Sequence, residues 1–231
     1  MSFPEDCKIS SMACVSPEAQ IGHGVEIGPF ATIEANVVIG DGCKIMNGAT
    51  VCWGTRMGKN NRVFPNAVVG GVPQDLKFHG EETTCEIGDN NTIRECATIN
   101  RGTASRGKTV VGSNNLIMAY CHIGHDCVFG NNIIISNACQ FAGEVEVSDF
   151  AVIGGGSLCH QFTRVGRYVM VTVIIRLRGR CLIWLERSRS SYLIIPRLDA
   201  LTNSTISFTM SLLGISASMA SRACVVLSLL R

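Results

Sequence analysis

The residues best suited to chemistry lie in one short segment, Cys121-His122-Ile123-Gly124-His125-Asp126-Cys127. The chain has 5 histidines, and two of them fall in this segment. A carboxylate beside an imidazole can orient the ring and stabilise its protonated form, as a general base requires. The segment therefore predicts proton transfer by His125 with Asp126. The alternative is that these side chains only decorate turns of the fold.

A metal site is the second chemistry that the histidines allow. A catalytic zinc site needs three protein ligands, and His122, His125 and His160 could be combined into such a set. The short spacing places His122 and His125 together, but nothing in the sequence positions His160. The cysteines lack zinc-finger spacing. We therefore expect no metal and no other cofactor.

A second polar segment reads Pro73-Gln74-Asp75-Leu76-Lys77-Phe78-His79-Gly80-Glu81. It mixes hydrogen-bond donors, acceptors and one cation, which suits a polar ligand such as a sugar. The alternative is a solvated surface loop without a ligand.

The apolar residues of this chain recur with a period of six. Aliphatic residues, with a few Phe or Cys substitutes, occupy every sixth position, and we call these the hexad positions. They are Ile9, Val15, Ile21, Ile27, Ile33, Ile39, Ile45, Val51, Met57, Val63, Val69, Ile87, Ile93, Ile99, Val111, Ile117, Ile123, Phe129, Ile135, Phe141, Val147, Ile153, Cys159, Val165 and Val171. Such a period is typical of a hexapeptide β-helix, in which short strands coil around one axis and stack. The sequence therefore predicts an all-β solenoid.

Three hexads should make one coil of roughly 18 residues, with each hexad side chain stacked inside the coil. Ile123 then points inward, so His122 and His125 lie on the outer surface or at a corner. Small, soft Cys side chains two residues before a hexad position should also pack inside. These are Cys7, Cys43, Cys85, Cys121, Cys127 and Cys139. Gly residues and Asn pairs such as Asn60-Asn61 suit corners that need a positive φ.

Two interruptions leave the phase of the repeat unchanged, from Val69 to Ile87 and from Ile99 to Val111. Chain that leaves a β-helix and returns in phase forms a loop. We therefore predict excursion loops over Val72–Thr84 and about Arg101–Thr109. Loops of this kind often lie on one face of a solenoid and carry function.

Composition sets further limits. Residues 1–172 carry 12 Lys and Arg against 16 Asp and Glu, a net charge of −4, whereas residues 173–231 carry 8 against 2, a net charge of +6. The repeat has no basic stripe with interleaved aromatic residues, so we expect no nucleic-acid partner. The 12 cysteines largely follow the repeat, and the N-terminus does not resemble a signal peptide. We therefore predict free thiols and a cytoplasmic protein.

The hexad pattern stops after Val171. We predict a hexapeptide-repeat β-helix domain over residues 1–172 and a divergent C-terminal segment over 173–231, helical or poorly ordered. Residues 200–221 are uncharged and long enough to span a bilayer, but they are rich in Ser and Thr. A surface or swapped helix fits them better, so we expect no stable membrane insertion. A third explanation is that this segment is translated in a shifted frame.

Several segments together resemble the bacterial UDP-N-acetylglucosamine acyltransferase family, which begins lipid A synthesis. They occur in the family's order across about residues 10–172. The segments are Pro73-Gln74-Asp75-Leu76-Lys77, Ile87-Gly88-Asp89-Asn90, Ile93-Arg94-Glu95, Asn100-Arg101-Gly102-Thr103, His122-Ile123-Gly124-His125-Asp126-Cys127, Ala142-Gly143 and His160-Gln161-Phe162. The resemblance implies a left-handed parallel β-helix followed by a helical C-terminal domain. It also implies a homotrimer with sites between adjacent subunits.

The resemblance further implies transfer of a (3R)-hydroxyacyl chain from acyl carrier protein to the glucosamine 3-hydroxyl of UDP-N-acetylglucosamine. By resemblance His125 is the general base, Asp126 polarises it, and the Gly143 N–H stabilises the oxyanion. The same resemblance implies that the substrate is bound by Gln74, Asp75, Lys77, His122, Asn137, His160 and Gln161. No covalent enzyme intermediate is required.

The sequence departs from the family at Glu144, where a histidine is common, and throughout the segment after Val171. The family's Pro-Pro turn is missing, and residues 176–187 only faintly resemble the start of its helical domain. Two alternatives to an active acyltransferase therefore stay open. One is a folded homologue that the altered C-terminus inactivates or impairs, and the other is a metal-dependent hydratase on the same β-helix.

Overall fold

A computed structural model describes residues 3–171, together with the strand backbone of residues 176–177 and 180–181. The predicted helical or poorly ordered segment, including residues 200–221, otherwise lies outside the described residues. No helix in the described part of the chain is long and apolar enough to cross a membrane.

The described chain consists of short strands joined by tight corners. The first coils contain β1 (Lys8–Ile9), β2 (Cys14–Val15), β3 (Gln20–Ile21), β4 (Glu26–Ile27), β5 (Thr32–Ile33), β6 (Val38–Ile39), β7 (Lys44–Ile45), β8 (Thr50–Val51) and β9 (Thr55–Met57). The middle coils contain β10 (Arg62–Val63), β11 (Val68–Gly71), β12 (Thr84–Ile87), β13 (Thr92–Ile93), β14 (Thr98–Asn100), β15 (Lys108–Val111), β16 (Leu116–Ile117), β17 (His122–Ile123) and β18 (Val128–Phe129). The last coils contain β19 (Ile134–Ile135), β20 (Gln140–Phe141), β21 (Glu146–Val147), β22 (Val152–Ile153), β23 (Leu158–Cys159), β24 (Arg164–Val165), β25 (Met170–Val171), β26 (Arg176–Leu177) and β27 (Arg180–Cys181).

Every third strand belongs to the same parallel sheet. The first sheet runs from β1 to β25, the second from β2 to β26 and the third from β3 to β27, with 9 strands in each. Ile9 pairs with Ile27, one coil of 18 residues further on. The strands of neighbouring coils are joined by backbone hydrogen bonds, as between the Lys8 N–H and Val25 O at 2.9 Å. The fold is a left-handed parallel β-helix, as predicted.

The hexad positions form the core. From Ile27 to Val171 every one of them is buried, whereas Ile9, Val15 and Ile21 are only partly buried. Within the described residues no other coil covers the outer side of the first coil, which accounts for this difference. Of the six cysteines predicted inside, all are buried except Cys7, which lies in the first coil.

The corners use a left-handed residue three positions before a hexad residue. Asn60 and Asn90 adopt φ values of 55° and 57° there, a conformation that Asn tolerates. Their neighbours Asn61 and Asn91 are instead buried inside the coil. Asn61 Oδ1 accepts a hydrogen bond from the Asn91 N–H at 2.9 Å, so the interior amides form a ladder. The two members of these Asn pairs therefore have different roles.

Both predicted excursion loops are confirmed. The first loop, residues 72–83, separates β11 from β12, and the second loop, residues 101–107, separates β14 from β15. Met57 pairs with Ile87 across 30 residues and Ile87 with Val111 across 24. Relative to the 18-residue coil these intervals add 12 and 6 residues, which are whole hexads, so the chain returns in phase.

Strand pairing continues past Val171. Leu158 pairs with Arg176, and Arg164 pairs with Arg180, so β26 and β27 extend the second and third sheets. The division of the chain at residues 172 and 173 stays a prediction.

Candidate active site

The two loops and the corresponding corners of three successive coils enclose a cavity of about 480 Å³. Its lining contains Asp75, Lys77, Thr103, Ala104, Ser105, His125, Glu144, Gln161 and Phe162. Another groove, of about 530 Å³, lies on the N-terminal coils beside Lys8, Glu26 and Lys44. Only the first cavity contains a histidine with a carboxylate partner, so the predicted chemistry belongs there.

His125 lies at the corner between β17 and β18, with its side chain 13% exposed. Its Nδ1 is 2.8 Å from Asp126 Oδ2, which is hydrogen-bond distance. Its Nε2 is 3.8 Å from Asp75 Oδ2, too far for a direct hydrogen bond. The imidazole is thus held on its Nδ1 side and faces the cavity on the other.

The side chain of Asp126 is fully buried and satisfied by donors from the second loop. Its Oδ1 accepts from the N–H groups of Thr103 at 3.0 Å and Arg106 at 3.2 Å. Its Oδ2 accepts from Thr103 Oγ1 at 2.5 Å. Because Asp126 already acts as an acceptor towards these three donors, the hydrogen shared with His125 belongs on Nδ1. The lone pair on Nε2 then faces the cavity.

The backbone also fixes Asp126. The residue occupies the left-handed corner position, with φ of 59°, and its N–H donates to Thr109 Oγ1 at 2.8 Å. Asp is among the few residues that tolerate this conformation. Sequence reasoning missed Thr103, Arg106 and Thr109 as partners of Asp126. Two signals were available: all three fall in the second predicted loop, about Arg101–Thr109, and Thr103 also ends the family-like segment that begins at Asn100.

Gly143 lies on the coil that follows His125 and is buried. A Cβ atom at this position would be 2.5 Å from His125 Cε1 and 2.6 Å from Nε2. Only glycine therefore lets the backbone lie against the imidazole. The backbone of Gly143, predicted to supply the oxyanion donor, therefore lies beside the imidazole.

The structure places the predicted substrate-binding residues in two groups. Asp75, Lys77 and Gln161 line the cavity with His125. The Lys77 N–H donates to Asp75 Oδ1 at 2.9 Å, which makes a local turn in the first loop. Outside the cavity lining lie four residues, namely Gln74, His122, Asn137 and His160.

These four residues have different surroundings. Gln74, Asn137 and His160 are exposed, and His160 Nδ1 is 3.3 Å from Gln161 O. His122 on β17 is half-buried, with Nδ1 2.7 Å from Thr98 Oγ1. Burial lowers the pKa of His122, and the nearby His125 lowers it further.

Glu144, the departure from the family pattern, faces the second loop. Its Oε1 accepts from Ser105 Oγ at 2.7 Å, and its Oε2 is 3.5 Å from Arg106 Nε. Arg106 also pairs with Glu146 at 2.8 Å. Glu144 therefore joins the second loop to the coil that carries Gly143.

Cys127, which directly follows the His125–Asp126 pair, is poorly suited to act as a nucleophile. Burial raises the pKa of Cys127 to about 12, and its Sγ donates to Ala142 O at 3.2 Å. The thiolate is the reactive form of cysteine, so this side chain is inert near neutral pH. In the described part of the chain ten cysteines form no disulfide bond, and no group of three His, Cys, Asp or Glu side chains is placed to hold a metal ion.

The chain is similar to proteins of known activity. Residues 18–52 match the family described as bacterial transferase hexapeptide (six repeats). An acyl-[acyl-carrier-protein]–UDP-N-acetylglucosamine O-acyltransferase from Rhizobium johnstonii is 48% identical over 171 residues, which is 74% of this chain and 63% of that protein. The chain thus spans less than two thirds of this relative.

Solved structures extend the similarity to the fold. A UDP-N-acetylglucosamine acyltransferase from Bacteroides fragilis is 53% identical, with a TM-score of 0.73 over 74% of this chain and 68% of that one. The corresponding acyltransferase structure from Acinetobacter baumannii is 42% identical, with a TM-score of 0.74 over 74% of this chain and 67% of that one. This chain belongs to the family of UDP-N-acetylglucosamine acyltransferases.

Proposed function

We propose that the cavity transfers a (3R)-hydroxyacyl chain from acyl carrier protein to the 3-hydroxyl of UDP-N-acetylglucosamine, in lipid A synthesis. The observation that carries this proposal is the orientation of His125. Asp126 holds its Nδ1, and Nε2 faces a cavity lined by Asp75 and Lys77. The names of the relatives support these substrates, and the geometry around His125 supports its role as the base.

In the proposed reaction His125 Nε2 takes the proton of the sugar hydroxyl while the hydroxyl oxygen attacks the thioester carbonyl. The tetrahedral adduct carries an oxyanion, which the Gly143 N–H stabilises. Collapse of the adduct breaks the C–S bond, and the protonated His125 returns the proton to the departing thiolate. The ester and the free thiol of the carrier are the products, without a covalent enzyme intermediate.

Two carboxylates flank the ring that takes up the proton in this step. Once protonated, the imidazolium would lie between Asp126 at 2.8 Å and Asp75 at 3.8 Å. A positioned general base contributes about 10²–10⁴ in rate, and one oxyanion donor contributes about 10²–10³. Asp75 and Lys77 would bind the sugar nucleotide beside Gln161. Gln74, His122, His160 and Asn137 lie outside the cavity lining of one chain, and they would contact substrate in the cleft between adjacent subunits of the proposed trimer.

The proposed assembly is a cytoplasmic homotrimer with the acyl chain in an apolar groove between subunits. Apolar side chains on the outside of the first sheet support this arrangement. They are Leu116, Ile134, Val152 and Met170. At the adjoining corner the rings of Phe150 and Tyr168 stack at 4.9 Å. Exposed apolar surface of this kind is typical of protein or ligand contacts. Light scattering after size exclusion gives the oligomeric state.

An acyl-transfer assay with UDP-N-acetylglucosamine and a series of (3R)-hydroxyacyl carrier proteins tests the activity. We expect product from the parent protein and a loss of about 10²–10⁴ in rate for His125→Ala. Equal rates for both proteins would refute the assigned base. A folded parent protein without product would favour the impaired homologue, and replacing residues 173–231 with a family-like C-terminus should then restore transfer. Stoichiometric zinc and hydratase activity would instead favour the metal-dependent alternative.

A further inference from the structure

The end of β14 and the start of the second loop contact the first loop. Strand β14 ends at Asn100, whose side chain is 5% exposed. Asn100 Nδ2 donates to Val72 O at 2.8 Å, at the start of the first loop. The Arg101 N–H donates to Gly71 O at 2.9 Å. The first loop is therefore attached at its origin to the residues from which the second loop leaves.

Arg101 holds the first loop at a second point. Its guanidinium carbon is 5.3 Å from the centre of the Trp53 ring and 5.4 Å from the centre of the Phe78 ring, distances at which cation–π attraction operates. The Phe78 N–H in turn donates to Asp75 O at 3.0 Å. Arg101 thus fixes the turn that presents Asp75 to the Nε2 side of His125.

Gly102, near the start of the second loop, is bonded to the end of the first loop. Its carbonyl accepts from Thr83 Oγ1 at 2.6 Å, and its N–H donates to Thr84 O at 3.1 Å. A Cβ atom here would be 2.2 Å from the Lys108 backbone nitrogen, so only glycine permits this approach. Arg101 and Thr103 therefore flank a tightly packed point of the backbone.

Thr103 controls the other side of the imidazole. It is 7% exposed and donates both its N–H and its hydroxyl to the Asp126 carboxylate. The hydroxyl reaches Oδ2, the same oxygen that His125 Nδ1 contacts. Without this hydroxyl the carboxylate would be held by the protein through Oδ1 alone, and the hydrogen on Nδ1 would face an Oδ2 that is less firmly fixed.

We propose that the segment from Asn100 to Thr103 is a positioning element that sets both carboxylates beside His125. Thr103 acts through Asp126 on the Nδ1 side, and Arg101 acts through Phe78 and Asp75 on the Nε2 side. This inference rests on the proposed acyl transfer. Neither residue is assigned contact with a reacting atom, so both are positioning residues.

The roles proposed for Thr103 and Arg101 predict different kinetic effects. Thr103→Val keeps the shape and the backbone N–H but removes the hydroxyl, so kcat should fall roughly 10- to 100-fold, the ratio expected for a hydrogen bond to a charged group. The KM for UDP-N-acetylglucosamine should stay within about twofold, because the first loop is untouched. Thr103→Ser keeps the donor and should restore kcat. Thr50→Val, on the outer face of β8, serves as the matched control.

Arg101→Lys keeps the charge but loses the planar guanidinium that lies between the two rings. We expect it to raise the KM for UDP-N-acetylglucosamine about 5- to 10-fold, with a smaller change in kcat, because substrate binding depends on the first loop. A drop in kcat at constant KM for Arg101→Lys would contradict the role of Arg101. Unchanged kinetics in Thr103→Val would contradict the role of Thr103.

A measurement that needs no turnover separates this inference from the proposed function. In ¹⁵N spectra of the imidazole, the parent protein and Thr103→Ser should carry the hydrogen of neutral His125 on Nδ1, and Thr103→Val should shift part of it to Nε2. The same distribution in all three folded proteins would overturn the role of Thr103, whether or not acyl transfer is detected. If Thr103→Val does not fold, Thr103→Cys replaces it, because a thiol is a weaker donor of similar size. This variant is kept under reducing conditions, and part of the hydrogen should again shift to Nε2.

Discussion

His125 and Gly143 lie on successive coils, and the imidazole occupies the space that a side chain at position 143 would need. A Cβ atom there would be 2.5 Å from His125 Cε1, closer than atoms in contact can approach. The absence of a side chain is therefore a structural requirement of the site, independent of any role for the Gly143 N–H.

Gly143→Ala should displace the His125 ring while leaving the β-helix folded. A displacement of about 1 Å from the reactive geometry can cost about 10²-fold in rate, so we expect at least that loss in kcat/KM. Gly155→Ala is the matched control, because the nearest atom to its Cβ is at 3.3 Å. Steady-state kinetics with circular dichroism would check this. Full activity in Gly143→Ala would show that the ring has room to move without consequence.

Asp126→Asn should abolish most activity without straining the corner. Asn tolerates the left-handed conformation that Asp126 adopts at φ of 59°, but an amide cannot accept hydrogen bonds at both of its ends. Thr103 and His125 then compete for fewer acceptors, and we expect a loss of about 10²–10⁴ in kcat and about 1–3 kcal/mol in stability.

Asp126→Ala provides the comparison for this variant, because it also loses the carboxylate but places a less tolerant residue in the left-handed corner. Its thermal midpoint should be lower than that of Asp126→Asn. Rapid single-turnover kinetics and thermal melts of the two proteins measure these effects. Wild-type turnover in Asp126→Asn would refute the need for an anionic partner.

His122 should make folding stability depend on pH. Its pKa is lowered in the folded protein by burial and by His125, so the unfolded chain binds the proton more readily than the folded protein. Stability from this group is therefore complete above its ordinary pKa of about 6.5 and is lost as pH falls through its lower folded value. His122→Asn should flatten the difference in unfolding free energy between pH 7 and pH 5. Identical slopes in denaturant titrations of both proteins would contradict this.

In the native protein the exposed cysteines should react with a thiol reagent faster than the buried ones. Cys14 is exposed and should react first, whereas Cys85 is fully buried and burial raises its pKa to about 12. Alkylation of Cys14 should leave acyl transfer unchanged, because no thiol takes part in the proposed reaction. Peptide mass spectrometry combined with the activity assay reports both results. Parallel loss of activity with Cys14 labelling would require a different mechanism.

The period of six was sufficient to predict the solenoid. One side chain per hexad builds the interior, so Ile123 could be placed inside, and His122 and His125 outside, without any knowledge of distant contacts. The phase of the repeat also located both loops, because each of them adds whole hexads and the chain returns in phase. These features are local and repeat with the backbone.

The arrangement of the site depends on contacts that do not follow the six-residue repeat. Thr103 and Asp126 are 23 residues apart and meet only because the second loop folds back onto the corner. The histidine cluster predicted a base, but its tautomer follows from the donors that surround Asp126. Likewise, only the structure separates Gln161, in the cavity lining, from His160, beside it in sequence.

The amino-acid sequence by itself determined the coil, its interior and the position of the His125–Asp126 pair, because each depends on residue type at a regular interval. The tertiary structure decided which side chains surround the imidazole. Those contacts form between irregular loops, whose paths are set by packing such as Arg101 between Trp53 and Phe78, and no repeating pattern encodes them.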